Sequence, residues 1–480
     1  MRVESEGGVR LPPPVFRLPP SAFPVNDFTL ELDLDELVPT PPAATEPVSP
    51  MPVLIDVDGG QGPAAPESLH ATGIDPQRLV DLAVRLANTV PSFTSEWAAE
   101  RLCLPVQLSD EIFWQLKDEQ YIEILGQNGP LSYRYALTNR GREQAKRLME
   151  FSGYIGPAPV SAASYAEFIN WQVDQRSKAS YEDVKAALSD LVLTQTAVDV
   201  ASLAGTSGRS LFLFGPPGNG KTSLGRALHH VVAGDVWIPH CIGIGGDIIR
   251  IYDAQCHQPH DVSPEFHNDV DRRWVRIRRP FVVCGGEMTI EALDLAYSDA
   301  LRFYEAPLHV KANGGTFLID DFGRQHVNPE QLLNRWIIPL EHNIDHLTLR
   351  TGQLIHVPFR LMLIVATNLS LTKIGDPAFL RRMGYRLLLE APTEEGYAQI
   401  FEDYARRRDV AVPSGLIASI LDRYRREDRD LRASEPRDLI ERCRDICRLK
   451  NIPVELSLET MDLAWAGYFG AAMETHSREM

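Results

Sequence analysis

The sequence predicts an α/β chain whose core is a parallel sheet, followed by an all-helical domain. Three observations carry this. Leu211–Phe214, Thr316–Ile319 and Leu361–Ala366 are largely apolar and lack the polar alternation of a half-exposed strand. Such runs suit strands covered on both faces. They lead into Gly215, into Asp320-Asp321 and into Thr367-Asn368, and doubly wound sheets bind ligands at the carboxyl ends of their strands. From residue 391 onward apolar residues return at helical spacing, as Tyr397, Ile400, Phe401 and Tyr404, then Leu416, Ile417, Ile420, Leu421 and Tyr424.

The 480 residues suggest about three domains at ~150 residues each. At 44% hydrophobic residues a sizeable core is available. The net charge of −17 argues against a surface built to coat nucleic acid, which needs clustered Lys and Arg, although a local basic patch remains open. Six cysteines without a C-x-x-C pair read as free thiols of a reducing compartment. With no signal pattern and no apolar run of bilayer length, the expectation is a cytoplasmic protein without membrane insertion.

Residues 1–72 are expected to be a disordered, proline-rich tail, too poor in buriable surface to offset ordering entropy. Within it Phe28–Leu34 alternates apolar and polar residues and suits strand addition to a partner's sheet edge. Residues 75–152 read as a compact module. A first helix carries Leu79, Leu82, Ala83 and Leu86. Ser95 is placed as the cap of a second helix, a third runs over 109–119, and strands at 121–125 and 133–137 flank the turn Asn128-Gly129-Pro130. Thr138 caps a last helix. Three helices and a two-stranded wing resemble a winged-helix module. The third helix would read a DNA groove, yet it carries Asp110, Glu111, Asp118 and Glu119, so protein interaction is the favoured role.

Residues 153–180 read as a linker, and one helix is expected over 181–203. Then comes Gly215-Pro216-Pro217-Gly218-Asn219-Gly220-Lys221-Thr222, a strand before it and a helix beginning at Ser223 after it. This is the phosphate-loop pattern in its required context. Glycines let backbone N–H groups turn inward round phosphates, and the helix N-terminus adds its positive dipole end. Lys221 would contact the terminal phosphates, the Thr222 hydroxyl would ligate Mg²⁺, and Ser223 joins the nucleotide-binding set. Val236–Pro239 reads as a short strand. Arg272, Arg273, Arg276, Arg278 and Arg279 form a patch open to nucleic acid, a subunit interface or acidic surface. Cys256, His257 and His260 lack a second ligand pair at fixed spacing, so no metal site is expected there.

Asp320, ending the second buried run, would hold Mg²⁺, mostly through water. Asp321 stands where a base orients an attacking water. Asn368, ending the third, would hydrogen-bond the γ-phosphate or that water. Before it, Leu347–Arg350 and Leu354–Val357 flank Thr351-Gly352 as a hairpin. After it, Asp376-Pro377 opens a short helix ending in Arg381-Arg382.

Taken together, residues 180–450 resemble the AAA+ ATPases, hexamer-forming P-loop machines. Gly215–Thr222 resembles Walker A, Phe317–Asp321 Walker B and Asn368 sensor 1. The resemblance implies that Arg381 or Arg382 is an arginine finger reaching a neighbour's ATP. It also implies that Arg437, in Ser434-Glu435-Pro436-Arg437, closes the lid over the γ-phosphate. The hairpin is similar to the pre-sensor insertion of remodelling members. Ile319–Gln325 with Leu333–Trp336 resembles a bacterial, chaperone-like AAA+ group. One departure stands out: Asp321 occupies the place of the usual Glu, one methylene shorter. Glu287, in Gly285-Gly286-Glu287, is an alternative base.

The resulting organisation is a tail (1–72), a winged-helix-like domain (75–152), a linker (153–180), an AAA+ α/β domain (181–390) and a helical lid (391–480). The expected cofactors are ATP and Mg²⁺. The expected function is ATP hydrolysis by a homo-oligomer, a hexamer, that remodels a protein partner. Two alternatives stay open: a DNA-remodelling ATPase, and an ATP-gated scaffold slowed by Asp321.

Overall fold

The computed structural model describes residues 49–127, 133–232, 234–325, 327–370 and 377–470. The Phe28–Leu34 strand, the Asn128-Gly129-Pro130 turn, Asp376 and the chain beyond Gly470 lie outside the described residues.

Two strands lie before the expected tail boundary at 72. β1 (Leu54–Val57) and β2 (Gly60–Pro63) pair antiparallel about Asp58-Gly59. Both turn residues have positive φ, 51° and 77°, the requirement of a two-residue hairpin turn that Asp-Gly meets. Trp237 Nε1 donates to Gln61 O at 3.1 Å and fixes the hairpin to the body. Proline content averaged over the first 72 residues hides this short Asp-Gly signal.

The next module contains α1 (Pro76–Ala87), β3 (Phe93–Thr94), α2 (Ser95–Leu102), α3 (Val106–Asp118), β4 (Ile122–Gln127), β5 (Tyr133–Leu137) and α4 (Asn139–Phe151). Its three-stranded antiparallel sheet has the order β3-β5-β4. Phe93, Phe113 and Tyr135 meet with ring centroids 5.3 to 5.8 Å apart at its centre. The cap of α2 is Thr94, whose Oγ1 accepts from Trp97 N, and not Ser95. Ser95 Oγ instead donates to Asp110 on α3, so that acid is spent inside the module.

Residues 153–180 are no free linker. β6 (Val160–Ser161) leads into α5 (Ala162–Asp174), which buries Tyr165, Phe168 and Ile169. That i, i+3, i+4 spacing is a helix signature. The single helix expected over 181–203 is two: α6 (Tyr181–Ala187) and α7 (Gln195–Ser207). Ser180 and Asp183 form a capping box on α6, and Thr194 caps α7. A second cap inside a periodic run marks a second helix start.

The core follows. β7 (Leu211–Phe214) enters α8 (Lys221–Val231) through the glycine loop. β8 (Asp235–Pro239), β9 (Cys241–Ile244), β10 (Asp247–Arg250) and β11 (Trp274–Arg278) form an insertion before β12 (Phe281–Cys284). β13 (Ala296–Ser298), β14 (Phe303–Glu305) and α9 (Leu308–Lys311) precede β15 (Thr316–Phe322). α10 (Pro329–His342), the hairpin β16 (Ile344–Thr348) and β17 (Leu354–Pro358), β18 (Met362–Thr367), α11 (Pro377–Arg382) and β19 (Tyr385–Leu388) complete it.

The core sheet runs β12-β15-β18-β7-β19, every pair parallel. The first strand of the core, β7, thus lies between the fourth and the fifth. This is an all-parallel α/β core. The order reverses between β7 and β18, and the crevice at their carboxyl ends is the place for a ligand. A second sheet, β13-β14-β10-β9-β6, joins β9 and β10 of the insertion to β6 before the core and to β13 and β14 after β12. The hairpin buries Leu347, Leu349, Ile355 and Val357 in the same cluster as Phe168 and Trp274, so one of its faces is core.

The C-terminal helices are α12 (Glu394–Arg407), α13 (Leu416–Arg426), α14 (Glu435–Lys450) and α15 (Leu458–Phe469), packed round Tyr397, Phe401, Tyr424 and Trp465. Among the described residues no helix is long and apolar enough to cross a membrane.

Candidate functional site

The glycine loop joins the end of β7 to the start of α8. Gly215 has φ 136°, and a Cβ there would stand 2.2 Å from Leu389 O, so only glycine lets the loop leave the sheet. Gly218, with φ 82°, faces the helical domain, where a Cβ would meet Ser434 Oγ at 2.8 Å. Ser434 N donates to Gly218 O at 2.9 Å, and Ala433 N to Asn219 Oδ1 at 3.3 Å. The lid therefore rests directly on the loop.

Lys221, at the start of α8, is buried. Its Nζ donates to Gly215 O at 2.9 Å and Pro216 O at 2.8 Å. Burial lowers its pKa, and the charges of Asp320 and Asp321 work against that shift. Thr222 Oγ1 donates to Asp320 Oδ2 at 2.7 Å. A hydroxyl and a carboxylate in contact, one from α8 and one from β15, form the pair that holds a divalent cation beside a phosphate.

β15 breaks register with β18 between Ile319 and Phe322. Asp320 and Asp321 share this bulge, and Asp321 has φ 49°. Bulges re-aim side chains next to sites. Asn368 Nδ2 donates to Asp321 Oδ1 at 2.9 Å from the end of β18. Gln325, nearly buried, braces the following turn: its Oε1 accepts from Gly323 N at 2.7 Å.

Two polar atoms here are buried without a partner, Asn219 Nδ2 on the loop and Asn368 Oδ1 opposite. Such orphans are costly unless a ligand or water meets them. A donor beside the glycine loop fits a phosphate oxygen, and an acceptor beside Asp321 fits a water. The residues present therefore fit a Mg²⁺-bound nucleoside triphosphate.

Pro217–Ser223, Asp320, Asp321, Asn368 and Arg437 line one cavity of about 660 Å³. Arg381 and Arg382 do not; they sit at the opposite end of the sheet. Arg382 is paired with Glu341 at 2.8 Å, and Arg381 is exposed. Arg437 bonds the neighbouring Asp438 at 3.0 Å, with most of its side chain in solvent. Glu287 is not among the lining residues. Its Oε1 accepts from Gly285 N at 2.8 Å, and that backbone bond lowers its pKa.

Sequence reasoning missed part of the wall. Leu191, Val192 and Leu193, in the break between α6 and α7, join Ile400 and Tyr404 of the lid. These give the cavity an apolar, aromatic end suited to a flat base, which a single helix over 181–203 hides. Arg324 also lines it. Its signal is its place, three residues after Asp321 in a turn containing Gly323.

The five arginines of 272–279 face mostly inward. Arg273 holds Asp271 at 2.7 Å and donates to Thr72 O at 2.8 Å. Arg276 pairs with Asp235 at 2.8 Å and Asp58 at 2.9 Å, and Arg272 donates to Leu104 O at 2.9 Å. Arg279 is buried, and Arg278 is exposed. His257 lies between Asp253 N at 2.9 Å and Lys311 O at 2.8 Å, and among the described residues no metal-holding cluster occurs.

Residues 393–467, the helical domain, match a family model described as "Domain of unknown function (DUF8689)". No curated protein matches the chain. Among solved structures the chain is similar to the RuvB Holliday junction branch migration motor of Thermotoga maritima. That likeness has 15% identity, covers 60% of this chain and 70% of that one, and has a TM-score of 0.32. It is also similar to NtrX from Brucella abortus in complex with ADP, at 17% identity, 61% and 59% coverage and a TM-score of 0.38. With NtrX in complex with ATP the values are 14%, 67% and 62%, and 0.37. Likeness this low decides nothing about chemistry.

Proposed function

We propose that this chain binds Mg·ATP in the cavity between core and lid and hydrolyses it as a subunit of a homo-oligomer, a hexamer. The cycle would remodel a protein partner. The observation that carries the reading is the 2.7 Å contact of Thr222 with Asp320 under the glycine loop. Backbone N–H groups of Gly218 to Thr222 and the Lys221 ammonium would hold the phosphates. Thr222 and Asp320 would hold Mg²⁺, which when bound supplies positive charge to the phosphate oxygens. Asp321, held by Asn368, would orient a water and take its proton. Leu191–Leu193 and Tyr404 would hold the base, and Arg437 would follow the lid. Arg381 or Arg382 would serve a neighbour's site, since both lie far from their own cavity. The bacterial chaperone-like resemblance and the winged-helix-like module, as a recruiting surface, support a protein target.

A second reading has an observation of its own. Asp321 is shorter than the usual Glu and already bonded to Asn368 at 2.9 Å. Binding without fast turnover would make the chain a nucleotide-gated scaffold. Equilibrium binding of a fluorescent ATP analogue with Mg²⁺, beside phosphate release by the same sample, tests both. Binding lost in Lys221→Ala with turnover in the wild type supports the first. Binding without release supports the second. No binding by the wild type overturns both.

A further inference from the structure

A second cavity, of about 750 Å³, lies at the far edge of the core sheet. Ser210, Gly315, Met362 and Gly384 in its wall stand where β7, β15, β18 and β19 begin. The wall is basic. Arg176, Lys178, Arg209, Arg360, Arg381 and Arg382 line it, with Asp174 as the acid. In a chain of net charge −17 this concentration needs a cause.

Arg382 pairs with Glu341 at 2.8 Å, but other guanidinium groups at the wall are incompletely satisfied. Arg279, 9% exposed, donates through Nη1 to Gly314 O in the wall at 2.5 Å, yet its Nε is buried without a partner. Arg360 Nε is also buried without one, while its Nη2 binds Asp174. Arg176 is half-buried and has no acid in ion-pair reach among the described residues. Burial alone draws its pKa down, and burial together with the Arg176 charge draws Arg279 down to about 10. Like charges side by side in a partly dry hollow are unfavourable until a counter-charge arrives.

Two of the cations lie close against glycine backbone. A Cβ on Gly208 would stand 3.0 Å from Arg176 Nη2, and one on Gly384 would stand 2.6 Å from Arg209 Cβ. The Arg176 head and the Arg209 stem thus lie against backbone. Arg209 thereby borders the loop that carries Arg381 and Arg382. Planar guanidinium forks match phosphate oxygens in geometry and charge.

We propose that this cavity is a phosphoanion-binding site, separate from the glycine loop and centred on Arg176, Arg209 and Arg360. Its occupant is a free phosphoanion.

Calorimetric titration of inorganic pyrophosphate into the full-length Lys221→Ala protein tests it, because that background removes the loop's lysine. Saturable binding is expected, weakened at least tenfold by Arg209→Ala and by Arg176→Gln, and weakened by salt. Arg209 is exposed, so Arg209→Ala keeps the wild-type melting temperature and serves as the fold-neutral variant. Absence of saturable binding, or an affinity left unchanged by both substitutions, overturns the proposal. Failure of the wild type to bind nucleotide would overturn the ATPase reading without touching this one.

Discussion

Asn368 Nδ2 donates to Asp321 Oδ1 at 2.9 Å, joining the carboxyl ends of β18 and β15. The bond fixes Asp321, while the neighbouring Asp320 carries the Thr222 hydroxyl. The other amide atom, Asn368 Oδ1, is buried without a protein partner. Removing a preorganised polar group from such a site costs about 10²–10³ in turnover. Asn368→Ala is expected to lose that much while nucleotide affinity changes less than threefold. Phosphate-release kinetics beside equilibrium binding check the split. Equal losses in both would assign Asn368 to binding.

Lys221 is held by carbonyl oxygens of its own loop, which a phosphate would replace as partners. A ligand at 100 times its Kd stabilises a protein by about 2.7 kcal/mol. Thermal melting should therefore rise with Mg·ATP in the wild type and stay level in Lys221→Ala. A shift retained in Lys221→Ala would place the nucleotide elsewhere.

How much of this was legible in the sequence follows from the range of each signal. The loop, the two acids and Asn368 are local patterns at strand ends, and the structure brings them into one cavity. Leu191–Leu193 were hidden because two capped helices in one periodic run look like one. The β1–β2 hairpin was lost in proline-rich surroundings. The arginines of 272–279 resemble a patch in one dimension, but their partners Asp58, Asp235 and Leu104 are distant in sequence. Nothing local reports that Asp345, Arg335 and His309 meet.

That meeting gives a stability prediction. Asp345, 1% exposed, binds Arg335 Nη2 at 2.7 Å and His309 Nε2 at 2.7 Å. The triad joins the root of the hairpin to α10 and α9. Despite burial, these bonds lower the Asp345 pKa to about 2. Removing one partner of a buried pair costs about 3–5 kcal/mol. Asp345→Asn should lower the urea midpoint by that equivalent, and an effect within about 0.5 kcal/mol, the size of a surface substitution, would contradict it.

Four histidines contribute a pH dependence, since burial lowers the pKa of His257 and His309 as well as of His229 and His240. Burial holds His229 and His240 down at about 4, from 6.5. The unfolded chain takes up their protons first as pH falls, so stability is full above about 6.5 and declines toward about 4. The slope is at most about 1.4 kcal/mol per pH unit for each site. Urea unfolding between pH 7 and 5 should show this decline, and His229→Gln with His240→Gln should flatten it. An unchanged slope in the double variant would show that other groups set it.

Arg381 and Arg382 lie at the far edge of the sheet, outside their own cavity. The most direct test of a shared site is ATP turnover per subunit, with Mg²⁺, against protein concentration. The expected result is specific activity that climbs with concentration, and a climb abolished by Arg381→Ala or Arg382→Ala while ATP still binds. Specific activity independent of concentration and unaffected by both variants would contradict hydrolysis completed by a neighbour. Absent turnover at every concentration would leave the nucleotide-gated scaffold.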